Sequence, residues 1–190
     1  ERKQGGGTYV SLRINSNMTE PLLALISQRP ETQFDLLEFR HALEGMAAFY
    51  SALRGQPEDY QHLQSALAGL DEIEPTEDKE KEANVLGEFY LIMAKASHNM
   101  VLQHVMRSMK TMLIDNIQRN LKMLAVNPEA CSEIAQQRVS IVAAIVQQNP
   151  QKARQASNAH LAFIEETLLN INQRDSRIQR VLRRIETNPS

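Results

Sequence analysis

The chain of 190 residues contains one cysteine, no tryptophan and no long apolar run. A single cysteine, Cys131, excludes an internal disulfide framework and is typical of a reducing compartment, so we expect a cytoplasmic protein. Its apolar runs are far shorter than the ~20 residues that a membrane helix requires, which excludes a membrane protein. Neither sign of charge dominates, because the sequence has 21 Lys and Arg and 23 Asp and Glu. This balance excludes a surface that binds nucleic acid over its whole extent.

Catalytic motifs are lacking as well. The sequence contains no Gly-rich phosphate loop, HExxH, CxxC or GxSxG pattern, so we expect neither an enzyme nor a bound cofactor. The polar opening segment is not a signal peptide, and since it lacks an initiator Met we expect a fragment or a processed product. With 42% hydrophobic residues, the chain can form one sizeable core.

Helical periodicity dominates the chain after about residue 17, and Pro, Gly and Asn mark the predicted boundaries. The predicted helices are a short one near Pro21, one over 33–54 that ends at Gly55, one from Pro57, and further ones over 80–97, 100–125, 128–149 and from Pro150 past residue 180. Six or seven helices with short loops predict an all-α antiparallel bundle. Only residues 5–10 are typical of a strand, which would belong to a sheet upstream.

Arg40 is the first candidate site residue, because it interrupts an apolar stripe. It lies between Leu36 and Leu43 on the predicted inner face of the helix over 33–54. A guanidinium cannot lose its charge, so a buried one requires an anion. Glu44, one turn later, is one possible partner. The other is the carboxylate of a small ligand, held by two parallel hydrogen bonds, and the pattern leaves both open.

Three more polar side chains lie on predicted inner faces. Tyr90 follows Leu86 on the helix over 80–97, and its hydroxyl either has an inward partner or reaches the surface. His160 follows Ala156 on the last helix, and a facing helix contributes Gln137. A lone inward histidine is more often a hydrogen-bonded core residue than a ligand, and glutamine binds transition metals poorly.

Three stretches together resemble a known family: Arg40–Ala48, Ala96–Asn99 and His160–Glu166. Their order and spacing resemble the effector-binding domain, called the FCD domain, of the FadR subfamily of GntR-type transcription regulators. The resemblance implies that residues 1–16 are the end of a winged helix-turn-helix domain plus a linker. It implies that residues 17–190 form an effector-binding and dimerisation domain, and that operator DNA is bound only through an N-terminal domain missing here.

The family normally carries a metal site of one Asp and three His that helps to bind a carboxylate effector. This chain departs from that pattern, because Leu86, Tyr90 and Gln137 stand where the Asp and two of the His would be. One remaining imidazole, His160, cannot hold a divalent ion, so we expect no metal. The resemblance implies instead a metal-free effector site made of Arg40, Tyr90, Asn99, Gln137 and His160.

The expected function is that of a homodimeric repressor domain that binds a small carboxylate and thereby relieves operator binding. Pyruvate is the first candidate, and a lactate-type sensor of the same subfamily is an alternative. A ligand-free helical adaptor, in which Arg40 only pairs with Glu44, is a further alternative. A metal-dependent helical enzyme would require ExxH pairs on two facing helices. The spacing occurs at Glu38 and His41, but no other helix repeats it.

Overall fold

The structure, a computed structural model, describes residues 32–71 and 78–186. In these two ranges the backbone forms seven α-helices and no strand, which confirms the predicted all-α bundle. The helices are α1 (Thr32–Arg54), α2 (Pro57–Asp71), α3 (Lys79–Ala96), α4 (Met100–Ser108), α5 (Lys110–Leu124), α6 (Pro128–Val146) and α7 (Pro150–Glu186). The strand expected over 5–10 and the short helix near Pro21 lie outside the described residues. No helix within these ranges is both long and apolar enough to cross a bilayer.

Asparagine side chains start three of the helices. Asn99 accepts hydrogen bonds at 3.1 Å from two backbone N–H groups in the first turn of α4. Asn127 and Asn149 each accept one at 3.1 Å at the starts of α6 and α7. The helices before α4 and α7 end close to His98 and Gln148, whose φ angles of 49° and 53° are left-handed. A single left-handed residue ends a helix sharply. The boundary near His98 was predicted to within one residue, whereas the helix predicted over 128–149 ends three residues earlier, at Val146.

One predicted helix is wrong. The periodicity over 100–125 predicted a single helix, whereas the structure breaks it at Met109 into α4 and α5. Met109 has φ −94° and ψ 8°, outside the helical range, and no Gly or Pro marks the break. Ser108 Oγ donates a hydrogen bond of 2.8 Å to the carbonyl oxygen of His104. This contact competes with the helical backbone bonding and bends helices.

Helix α3 lies at the centre of the bundle, where it packs against α1, α2, α4 and α5, while α7 packs against α1 and α6. Two glycines allow close packing. A Cβ atom at Gly87 on α3 would lie 2.7 Å from Ile114 Cγ1 on α5, and one at Gly45 on α1 would collide with the Asn158 side chain on α7. The fully buried Phe89 and Met93 fill the centre of the core. The predicted site residues therefore lie on helices held firmly against one another.

Candidate functional site

Arg40 is buried on the inner face of α1 together with Glu44. Their exposed fractions are 4% and 0%. Arg40 Nε donates to Glu44 Oε1 at 2.5 Å and Nη2 to Oε2 at 3.3 Å, so the pair is bidentate. Burial alone would lower the pKa of Arg40, but its interactions with Glu44 and Tyr90 together outweigh burial and raise that pKa. Of the two anions that the sequence left open, the structure contains the one supplied by the chain itself.

Two asparagines that the sequence analysis missed extend this ion pair. Arg40 Nη1 donates to Asn116 Oδ1 at 3.1 Å, and Asn116 Nδ2 donates to Gln33 Oε1 at 2.8 Å. Asn120 Nδ2 donates to the same Asn116 oxygen at 3.3 Å. Asn116 and Asn120 lie one turn apart on the buried face of α5, beside Ile117. Polar residues that interrupt an apolar stripe are the signal that identified Arg40, and the same signal was available here.

His160 is the centre of a second set of hydrogen bonds. Its Nε2 lies 3.0 Å from Tyr90 Oη, and its Nδ1 lies 3.2 Å from Gln137 Oε1. Gln137 Nε2 donates to the Glu133 carboxylate at 3.0 Å, which orients the amide oxygen towards the imidazole. The bonding network therefore assigns the proton to Nδ1, and Nε2 accepts from the Tyr90 hydroxyl. The Arg40 guanidinium lies 5.1 Å from the centre of the Tyr90 ring, which joins the two sets.

Burial keeps both titratable groups of this second set neutral. It lowers the pKa of His160 well below 6.5, and the nearby charges of Arg138, Arg40 and His41 lower it further. Burial also raises the pKa of Tyr90 above 10, with the Glu44 carboxylate acting in the same direction. At neutral pH the imidazole and the phenol are therefore hydrogen-bonding groups without charge.

Four of the five predicted site residues come together, and each comes from a different helix. Arg40 on α1, Tyr90 on α3, Gln137 on α6 and His160 on α7 form one connected cluster. We call these four residues the polar cluster. Asn99 is placed elsewhere, at the start of α4, where its side-chain oxygen accepts from two backbone N–H groups.

The metal site of the resembled family does not fit the residues present. Leu86 has no donor atom, and the nitrogens of His160 already face Tyr90 and Gln137. A structural metal site needs several deprotonated or imidazole ligands that converge. Within the described ranges, no group of three or more His, Cys, Asp and Glu side chains converges in this way. The chemistry of the cluster is therefore that of neutral hydrogen-bonding groups beside a paired cation.

The buried neutral imidazole makes stability depend on pH. The unfolded chain binds a proton at His160 near pH 6.5, whereas the folded chain does so only at lower pH. The unfolded state therefore binds more protons in this interval, and stability falls as the pH falls below 6.5. We expect the wild type to lose up to about 1.4 kcal/mol per pH unit relative to His160→Gln, measured by urea unfolding between pH 5 and 7.

The matched control is His62→Gln, since His62 is an exposed histidine on α2. Its pH profile should follow that of the wild type. If His160→Gln gave the same pH slope as the wild type, the imidazole would not be buried in the neutral form.

Comparisons with known proteins agree with the architecture. A family model described as the FCD domain matches residues 35–163. Over 185 residues the chain is 30% identical to an L-lactate dehydrogenase operon regulatory protein of Escherichia coli (strain K12), covering 95% of this chain and 70% of that protein. It is 28% identical over 169 residues to the HTH-type transcriptional regulator LutR of Bacillus subtilis (strain 168), and this match covers 88% of this chain and 76% of LutR.

The solved structure of a Streptococcus agalactiae GntR has the same fold. Its TM-score is 0.64 at 23% identity, and the match covers 87% of this chain and 73% of that one. The relatives at higher identity are transcriptional regulators and not enzymes, as we expected for this chain. The family match, which spans most of the chain, and the regulators at 28–30% identity agree with each other. The chain therefore belongs to the FCD-domain regulators of the GntR family.

Proposed function

We propose that this chain is the effector-sensing and dimerisation part of a transcriptional repressor, and that a small carboxylate, with pyruvate as first candidate, relieves its operator binding. Operator DNA would be bound by a winged helix-turn-helix head in the longer protein. The E. coli relative is longer than this chain, which matches 70% of it. The active assembly would be a homodimer that presents two such heads.

The observation that carries this proposal is the polar cluster itself. Four helices each bring one hydrogen-bonding side chain to the same place, and three of these side chains (Arg40, Tyr90 and His160) are buried, where a helical adaptor would need only apolar packing. Buried polar groups cost stability unless they are fully hydrogen-bonded, so a cluster of this size favours a role in binding. In the proposed site Arg40 supplies positive charge, while Tyr90, Gln137 and His160 supply hydrogen bonds to the oxygens of the effector.

The effector would act by preferring one of two bundle conformations. A ligand changes an equilibrium only through its different affinities for the two states. If pyruvate bound the conformation with misplaced DNA-binding heads about 100-fold more tightly, it would shift the equilibrium by about 2.7 kcal/mol. That shift is enough to release a marginal operator complex.

Two alternatives each have one observation in their favour. The bidentate Arg40–Glu44 pair leaves the guanidinium neutralised without a ligand, which favours the ligand-free adaptor. The relative named for an L-lactate dehydrogenase operon favours lactate over pyruvate as effector. Both are decided by measuring which small carboxylates bind.

Calorimetric titration with pyruvate and with L-lactate tests the proposal. Tyr90→Phe removes one hydroxyl from the polar cluster and keeps the ring, so we expect pyruvate to bind about ten-fold more weakly than to the wild type. Tyr90→Phe is preferable to Arg40→Ala, because the latter leaves Glu44 buried without its partner.

Tyr60→Phe is the matched control. The Tyr60 hydroxyl donates to the Gly55 carbonyl at 2.8 Å, away from the polar cluster, so pyruvate affinity should be unchanged. Equal affinities of the wild type and Tyr90→Phe would remove the cluster from the binding site. Absence of heat, together with a melting temperature that no carboxylate raises, would establish the adaptor function instead.

A further inference from the structure

A cavity of about 430 Å³ opens between α3, α5 and α6. Its volume is within the range of small-molecule sites. The walls are largely apolar and are formed by Leu70, Leu86, Leu121, Leu124, Ala125, Pro128 and Ile134, together with Lys79, Glu82, Cys131 and Arg138. Three of these last four residues carry charge, so the question is which of the charges is free to bind a ligand.

Arg138 is the cation in this cavity that has no counterion among the described side chains. The other cation, Lys79, pairs with Glu82 at 2.8 Å, so these two charges neutralise each other. Arg138 is partly buried, and its guanidinium has no hydrogen-bond or ion-pair partner among residues 32–71 and 78–174. Arg40, in contrast, already holds Glu44 and Asn116. A guanidinium without a partner beside an apolar cavity is suited to bind a carboxylate.

Two helices carry residues of both the cavity wall and the polar cluster. Leu86 lines the cavity and lies one turn before Tyr90 on α3, while Arg138 follows Gln137 on α6. The positive charge of Arg138 contributes to lowering the pKa of His160. An anion bound at Arg138 would therefore change the electrostatic environment of His160.

We propose that Arg138 binds the carboxylate of the effector and that the apolar wall beside Leu86, Leu121 and Ile134 receives its short carbon chain. This inference rests on the proposed function but changes one part of it: Arg138, outside the polar cluster, replaces Arg40 as the residue that binds the anionic end of the ligand. The Arg40–Glu44 pair then stays intact in the bound state. The ligand class that fits this lining is a small monocarboxylate with an apolar body.

Cys131 provides a readout that is specific to this cavity. It is the only cysteine of the chain, it lines the cavity, and its side chain is partly exposed. Alkylation of the 190-residue chain by iodoacetamide, a neutral reagent, can be followed by intact mass. At a pyruvate concentration of about ten times the Kd, occupancy predicts that alkylation of Cys131 slows about ten-fold. The neutral amide of pyruvate, at the same concentration, should give no protection.

Arg138→Gln should abolish this protection. We expect its affinity for pyruvate to fall about 30-fold, because the charge-assisted hydrogen bonds are lost. Arg138→Lys keeps the charge but not the bidentate geometry, so protection should be intermediate. Arg119→Gln on α5 is the matched control, since it removes an exposed arginine that does not line the cavity, and it should behave as the wild type.

The outcomes separate this inference from the function on which it rests. If pyruvate gives calorimetric heat but leaves the alkylation rate unchanged, or if Arg138→Gln binds as tightly as the wild type, the sensing function stands and the assignment of Arg138 is overturned. If no carboxylate gives heat or protection in the wild type, the proposed function and this inference both fail. Protection that is lost in Arg138→Gln and kept in Arg119→Gln supports both.

Discussion

Glu44→Gln is expected to lower the free energy of unfolding by about 3–5 kcal/mol, measured by urea denaturation. The amide has the size of the carboxylate but no charge, so Arg40 stays buried, at 4% exposure, without an anion. The neutral acceptors left to it, the introduced amide oxygen and Asn116 at 3.1 Å, do not balance a full charge in the interior. The loss of unfolding free energy therefore measures the cost of an uncompensated buried cation and not the strength of a single hydrogen bond.

Two further variants complete this test: a double variant that removes both buried charges, and a control variant that breaks an ion pair on the surface. Arg40→Met/Glu44→Leu removes both charges and fills the space with apolar groups, so most of the lost stability should return. Asn116 keeps Gln33 and Asn120 as partners in that variant. Glu88→Gln breaks an exposed ion pair with Lys110 and should cost no more than about 1 kcal/mol. If Glu44→Gln cost as little as Glu88→Gln, solvent would be reaching the Arg40 guanidinium.

Phe89→Ala is expected to cost about 3–5 kcal/mol of unfolding free energy, because it opens a void at the centre of the core. Phe89 is fully buried on α3, the helix with neighbours on most sides. Its ring meets the Tyr90 ring edge-on, with centroids 5.2 Å apart. Removing it also takes away the packing that holds the Tyr90 ring beside His160. If the polar cluster binds pyruvate as proposed, the affinity should fall together with stability.

Phe39→Ala is the matched control, because it makes the same substitution at an exposed position. Phe39 is 41% exposed on the outer face of α1, so its removal should change the unfolding free energy by less than about 1 kcal/mol. Equal losses in the two variants, measured under the same conditions, would contradict the central position of α3.

Most of the fold could be predicted because the residues that start and end its helices act locally in the sequence. Asn127 and Asn149 each precede a proline, and such pairs start a helix by satisfying one backbone group and removing another. The break at Met109 could not be predicted, since it depends on how Ser108 bonds to the carbonyl of His104 in the folded chain. Helical periodicity continues through that point, so the pattern of the residues does not mark it.

The candidate site could be predicted only where a polar residue interrupts an apolar stripe. This signal correctly indicated that Arg40 and His160 are buried. It did not reveal that Asn116, 76 positions further along the chain, would bind the Arg40 guanidinium. That Arg138 has no counterion among the described side chains was equally impossible to predict, because it depends on which side chains the packed helices bring together. Sequence indicates which side chains are buried, and packing decides which of them meet.

The hydrogen bonds from Tyr90 through His160 and Gln137 to Glu133 connect the deep interior with the outer side of α6. Each of these contacts is 3.0–3.2 Å long and weakens steeply if its atoms separate further. Sliding of α3, α6 or α7 against the others would break the Tyr90–His160 or the His160–Gln137 bond. We therefore expect these helices to move between discrete arrangements and not by gradual displacement.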